Sequence, residues 1–212
     1  MIMKHNILLV VFLSLFSATA SADASVDDLL RKMKGIQTNP VELKAVIAQG
    51  EERGRLCFSC HGRDGNSKRD YIPNLASQNA EYLFTQFEHF ADGTRKDYVM
   101  SKLAKQLTGE ERVAIALYFA NRQVTPRESK VAASADGKRI YDSTCFVCHG
   151  ASGHGNDQYP RIAGQPLEFL SNTLKSFKNN DPDRKNSPMV AVIKNLSETD
   201  LQNVATYITN MP

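Results

Sequence analysis

The chain has 212 residues, with 26 Lys and Arg against 23 Asp and Glu and a formal net charge of +3. The charge is spread evenly, and no basic run marks out a nucleic-acid or anionic-membrane surface. Such a length accommodates one or two domains.

Residues 1–22 read as a secretory signal peptide. Lys4 and His5 form a short basic start, and Ile7 to Phe16 is an apolar run broken only by Ser14. Ala18-Thr19-Ala20 and Ala20-Ser21-Ala22 both fit a small-residue cleavage site. The run is shorter than the ~20 residues a bilayer span needs. Cleavage after Ala22 leaves 190 residues with no later apolar span, so the expected compartment is the periplasm. Residues 23–47 follow as a helical extension without counterpart later in the chain. Ser25 is placed to cap a first helix carrying Leu29, Leu30 and Met33, and Asn39-Pro40 to start a second with proline at its first position. The favoured expectation is that its apolar positions pack on the chain's own first domain. The alternative is a docking face for another subunit.

Next comes Cys57-Phe58-Ser59-Cys60-His61-Gly62, which recurs as Cys145-Phe146-Val147-Cys148-His149-Gly150. The two copies use all four cysteines. C-x-x-C-H is the attachment signature of a c-type haem. The thiols of Cys57 and Cys60, and of Cys145 and Cys148, add across the porphyrin vinyl groups, and His61 and His149 are the proximal iron ligands. Zinc is the weaker reading, because paired C-x-x-C motifs of that kind lie about 15–20 residues apart, and here 84 residues separate Cys60 from Cys145. A thioredoxin-like dithiol would sit near a βαβ pattern, and none is visible. Neither alternative explains a histidine directly after both pairs.

The repeat extends well beyond the motif. Pro73 to Gln78 match Pro160 to Gln165, Tyr82-Leu83 and Phe90 match Phe169-Leu170 and Phe177, and Leu107-Thr108 match Leu196-Ser197. The predicted middle helices cover about 79–91 and 166–178. The last helix of each half starts at Thr108 with Glu111 three residues on, and at Ser197 with Asp200, both capping-box-like. Ile115, Tyr118 and Phe119 share one helical face, as do Val204, Tyr207 and Ile208. No alternating run is long enough for a sheet. The predicted plan is all-α, with domains at 48–124 and 137–212 joined by a linker at 125–136.

A six-coordinate electron-transfer haem needs a ligand opposite the histidine. Met100 lies 39 residues after His61, and Met189 lies 40 after His149. Matching positions raise this pair above ordinary core methionines, and a thioether there favours ferrous iron. Met33 and Met211 have no such match. His89 is matched by Ser176, and His154 lies too close to His149 to reach the far side of the same haem.

With these motifs in order, residues 50–210 resemble the cytochrome c4 family, in which two class I cytochrome c domains each wrap one covalent haem. The resemblance implies that the carbonyls of Pro73 and Pro160 accept the ring N–H of His61 and His149, and that Gln78 and Gln165 lie near haem propionates. In the family's usual pattern proline precedes the methionine, as Pro188 does Met189; Val99 precedes Met100. The expected function is that of a periplasmic dihaem electron carrier in a respiratory chain, working between redox proteins such as a terminal oxidase, and not an enzyme. Peripheral membrane association through a partner is left open. The rivals are the cytochrome subunit of a flavocytochrome sulfide dehydrogenase, and a dihaem enzyme such as a thiosulfate dehydrogenase.

Overall fold

The computed structural model describes residues 24–126, 131–184 and 186–212. The signal-peptide expectation at 1–22 lies outside them, as does part of the expected linker. Among the described residues there is no strand. The chain is all-α, as its patterning predicts. No helix among these residues is long and apolar enough to cross a membrane.

The first half opens with α1 (Val26–Thr38), whose Ser25 cap accepts from Asp28 N. In α2 (Pro40–Arg53), Asn39 caps and proline stands at the first turn. A tight 3₁₀ turn (Gly54–Cys57) leads into α3 (Phe58–His61). Then come α4 (Ala80–Asp92), α5 (Met100–Gln106) and α6 (Gly109–Ala120). The second half repeats this order without α1. It has α7 (Ala135–Ile140), a π turn (Tyr141–Cys145), α8 (Phe146–His149), α9 (Leu167–Lys178), α10 (Met189–Val192) and α11 (Glu198–Thr209). α2 runs unbroken through residues 47 and 48, and α7 begins at Ala135 under a Ser134 cap.

Each half has its own apolar core. Phe84, Phe87 and Phe90 of α4 meet Ile115, Tyr118 and Phe119 of α6 in the first, and Leu170, Leu174 and Phe177 of α9 meet Leu201, Val204 and Ile208 of α11 in the second. α6 is buried along its whole middle, Val113 through Phe119, whereas α11 keeps a polar side. α1 explains the difference. Its Leu29, Met33 and Ile36 belong to the first core, and Lys32 and Lys34 pair with Glu110 of α6 and Glu81 of α4. A helix apolar all round needs cover on every side, and α1 supplies it. Met33→Ala should therefore cost about 2–4 kcal/mol, in the range of large-to-small changes at buried sites. Thermal melts of the haem-loaded protein read this directly; an unchanged midpoint would mean α1 is not part of the core.

α2 crosses α6, and α7 crosses α11, at a glycine. A Cβ on Gly50 would fall on the Ala114 carbonyl and lie 2.8 Å from Tyr118 Cβ. A Cβ on Gly137 would fall on the Asn203 carbonyl, 2.9 Å from Tyr207 Cβ. Both terminal helices start with reciprocal capping boxes, Thr108 with Glu111 and Ser197 with Asp200. Thr108→Ala should cost about 0.5–2 kcal/mol; a urea midpoint equal to that of the parent would show the cap to be idle.

Candidate metal centres

α3 and α8, each with the cysteine that caps its start, present two thiols and an imidazole within one turn. Residues three and four apart share a helix face, so Cys57, Cys60 and His61 line one side, as do Cys145, Cys148 and His149. Gly62 (φ 80°) and Gly150 (φ 75°) end the turn in a conformation costly for other residues, and their N–H groups return to Phe58 O and Phe146 O.

Both histidines are buried, at 7% and 6% exposure. His61 Nδ1 lies 3.0 Å from Pro73 O, and His149 Nδ1 lies 3.0 Å from Pro160 O. A carbonyl can only accept, so Nδ1 carries the proton and Nε2 keeps its lone pair. Burial lowers both imidazole pKa values, opposed only in part by the proline carbonyls and, at His61, by Asp97. The rings are thus neutral donors with one nitrogen free and the other fixed. Burial pushes the Cys57 and Cys145 thiols up to about 11. The two C-x-x-C pairs do not converge on a zinc site: among the described residues no three His, Cys, Asp or Glu side chains gather into a metal cluster.

Met100 and Met189 occupy equivalent places, each the first residue of a short helix and each packed against the core of its own half. Pro188 sets the turn before Met189. Before Met100 a side chain does this instead: Asp97 Oδ1 accepts from Val99 N at 2.9 Å and Met100 N at 2.8 Å. The sequence held a signal for this, an aspartate three residues ahead of the methionine, as in helix starts.

The donor set suits a covalently held haem: two thiols, a neutral imidazole with Nε2 free, and a thioether in each half. One further observation fits. Arg161, only 8% exposed, keeps its Nε buried without a hydrogen-bond partner, and burial lowers its pKa. A group bearing carboxylates, as haem does, answers that need. A surface cleft of about 890 Å³ beside the motif touches Cys60 but neither His61 nor Met100.

Gln78 and Gln165 are buried between the two halves. Gln78 receives Arg161 N at 2.7 Å and donates to Arg161 O at 2.8 Å. Gln165 receives Asn74 N at 2.9 Å and donates to Asn74 O at 2.9 Å. Asn74 Nδ2 also donates to Gly164 O, and Asn79 Nδ2 to Tyr159 O. The interface is polar and reciprocal.

Comparison with known proteins agrees with the repeat. The cytochrome c family model matches residues 134–212. The chain is 29% identical to cytochrome c4 of Pseudomonas aeruginosa over 77% of its length and 88% of that protein. It is 30% identical to the thiosulfate dehydrogenase electron acceptor of Thiomonas intermedia, over 74% of this chain and 78% of that one. The solved structure of reduced recombinant cytochrome c4 from Pseudomonas stutzeri superposes with a TM-score of 0.70 at 26% identity, covering 77% of this chain and 97% of that one.

Proposed function

The chain belongs to the cytochrome c4 family, and from that premise we propose that it is a periplasmic carrier that takes electrons from one redox protein and gives them to another through two haem c groups. The observation that carries this is the duplicated centre. In each half a buried neutral histidine has its Nδ1 committed and its Nε2 free, and a methionine opens a short helix packed against that half's own core. We assign His61 with Met100, and His149 with Met189, as the residues that would hold each haem iron. Cys57 with Cys60, and Cys145 with Cys148, are the haem tethers. Haem supplies one-electron chemistry when bound; the protein supplies burial, ligand identity and hydrogen bonds. A histidine and a methionine holding each haem iron would leave no coordination site for a substrate, which favours a carrier over an enzyme.

Acid–acetone extraction and the mass of the mature chain should give two retained haems, and near-infrared spectra of the oxidised protein should show sulfur ligation at both. A haem lost to acetone would break the tether assignment. A high-spin haem at neutral pH would turn the reading towards an enzyme.

A second reading concerns the donor. The similarity to a thiosulfate dehydrogenase electron acceptor favours a sulfur-oxidising donor enzyme. The burial of α1 in the chain's own core favours a free carrier over a subunit docked through its extension.

A further inference from the structure

The peptide unit joining Pro73 to Asn74 is gripped from both halves of the chain. Its carbonyl oxygen accepts from His61 Nδ1 at 3.0 Å, and its N–H donates to Gln165 Oε1 at 2.9 Å. The unit joining Pro160 to Arg161 repeats this with the halves exchanged. Its carbonyl accepts from His149 Nδ1 at 3.0 Å, and its N–H donates to Gln78 Oε1 at 2.7 Å. The amide orientations are not interchangeable, because each Nε2 is spent on a carbonyl, Asn74 O or Arg161 O. Both glutamines are buried, 6% and 4% exposed, so bulk water does not dilute these bonds.

The geometry points to Gln165 and Gln78 as positioning residues that each tune the iron of the opposite half. A peptide is conjugated, so donation by its N–H shifts charge onto its own carbonyl oxygen. Such chains strengthen by about 10–30% per bond in a low-dielectric interior. A more negative Pro73 oxygen pulls harder on His61 Nδ1–H, which leaves more electron density on Nε2. A better donor favours ferric iron. Gln165 therefore lowers the potential of the first haem, and Gln78 that of the second. The coupling rests on the proposed ligation by His61 and His149. Its distinguishing mark is the crossing: a glutamine acts on the haem that its own half does not hold.

The test is a pair of variants, Gln165→Met and Gln78→Met, in the haem-loaded full-length protein. Each haem's potential is first assigned with the Met100→His and Met189→His chains. In Gln165→Met the oxidised-to-reduced ratio of the first haem at fixed potential should fall about threefold, which is ~28 mV at 59 mV per decade. The His61 Nδ1–H proton resonance should move upfield, with the second haem unmoved. Gln78→Met should give the mirror result. Equal shifts of both haems in both variants would reduce the glutamines to interface glue and overturn the coupling. Shifts confined to the glutamine's own half, or none, would overturn it too. If the methionine variants fail to accumulate, Gln165→Glu keeps an acceptor for Asn74 N–H, and the His61 resonance should stay downfield; an upfield move overturns the coupling. Spectra showing that His61 and His149 do not bind iron would remove the centre itself and the coupling with it. Intact ligation with unmoved potentials removes only the coupling.

Discussion

Exchanging Met100 for histidine should lower the reduction potential of the first haem by about 200 mV or more and leave the second nearly in place. Axial ligands command a span of ~0.8 V across haem proteins, and a thioether favours the ferrous state where a second imidazole does not. The position tolerates the exchange sterically, because Met100 is only partly buried at the first turn of α5. The turn that carries it is pinned by Asp97 and does not depend on the methionine. The two cores are separate, so the effect should be confined to one wave of an optical redox titration. Two unmoved waves would show that Met100 is no ligand, and the assignment of the first centre would then have to start again from Asp97 to Gln106.

Gly50→Val or Gly137→Val should remove the corresponding domain from the mature protein. Overpacking a core ordinarily costs about 1–3 kcal/mol. Here the added carbon meets the carbonyl oxygen of Ala114 or Asn203, and backbone in mid-helix cannot swing aside as a side chain does. The crossing must open by more than a rotamer change, which separates α2 from α6, or α7 from α11. The single-domain marginality of a core this small leaves little reserve. The measurement is the haem content of purified chain: the Gly50 variant should retain one haem, bound in the second half, and the Gly137 variant one, bound in the first. Two retained haems with a parental melting temperature would contradict the close crossing.

Features that were legible in the sequence are those written locally. The caps at Ser25, Asn39, Thr108 and Ser197 each announce a helix within four residues, and the structure forms each one. The middle helices fall within a residue or so of their expected bounds, because their aromatic stripes follow a 3.6 period. The proline carbonyls accept from the two histidines as the family resemblance implies. Less legible were relations between distant segments. Gly50 and Gly137 look like ordinary mid-helix glycines until the crossing helix is placed against them. The resemblance places Gln78 and Gln165 near haem propionates, and nothing local says that each also meets the backbone of the other half. The turn before Met100 differs again: it lacks the proline found before Met189, and Asp97, two positions before that proline's place, performs the same task through its side chain.

The two halves approach their C-x-x-C-H turn through windings of opposite kind, a 3₁₀ turn at Gly54–Cys57 and a π turn at Tyr141–Cys145. The spacing from the crossing glycine to the first cysteine differs by one residue, seven from Gly50 to Cys57 and eight from Gly137 to Cys145. A tighter winding takes fewer residues per turn and a looser one takes more, so the turn acts as a take-up spool between two fixed bearings. Chain length and spatial separation become independent there. A duplicated gene can then gain or lose a codon at this place and keep both the crossing and the attachment turn, whereas between the two cysteines of one motif the same change would leave a thiol facing away from its porphyrin. The one-residue difference between the copies at this place is thereby taken up by a segment whose pitch can change.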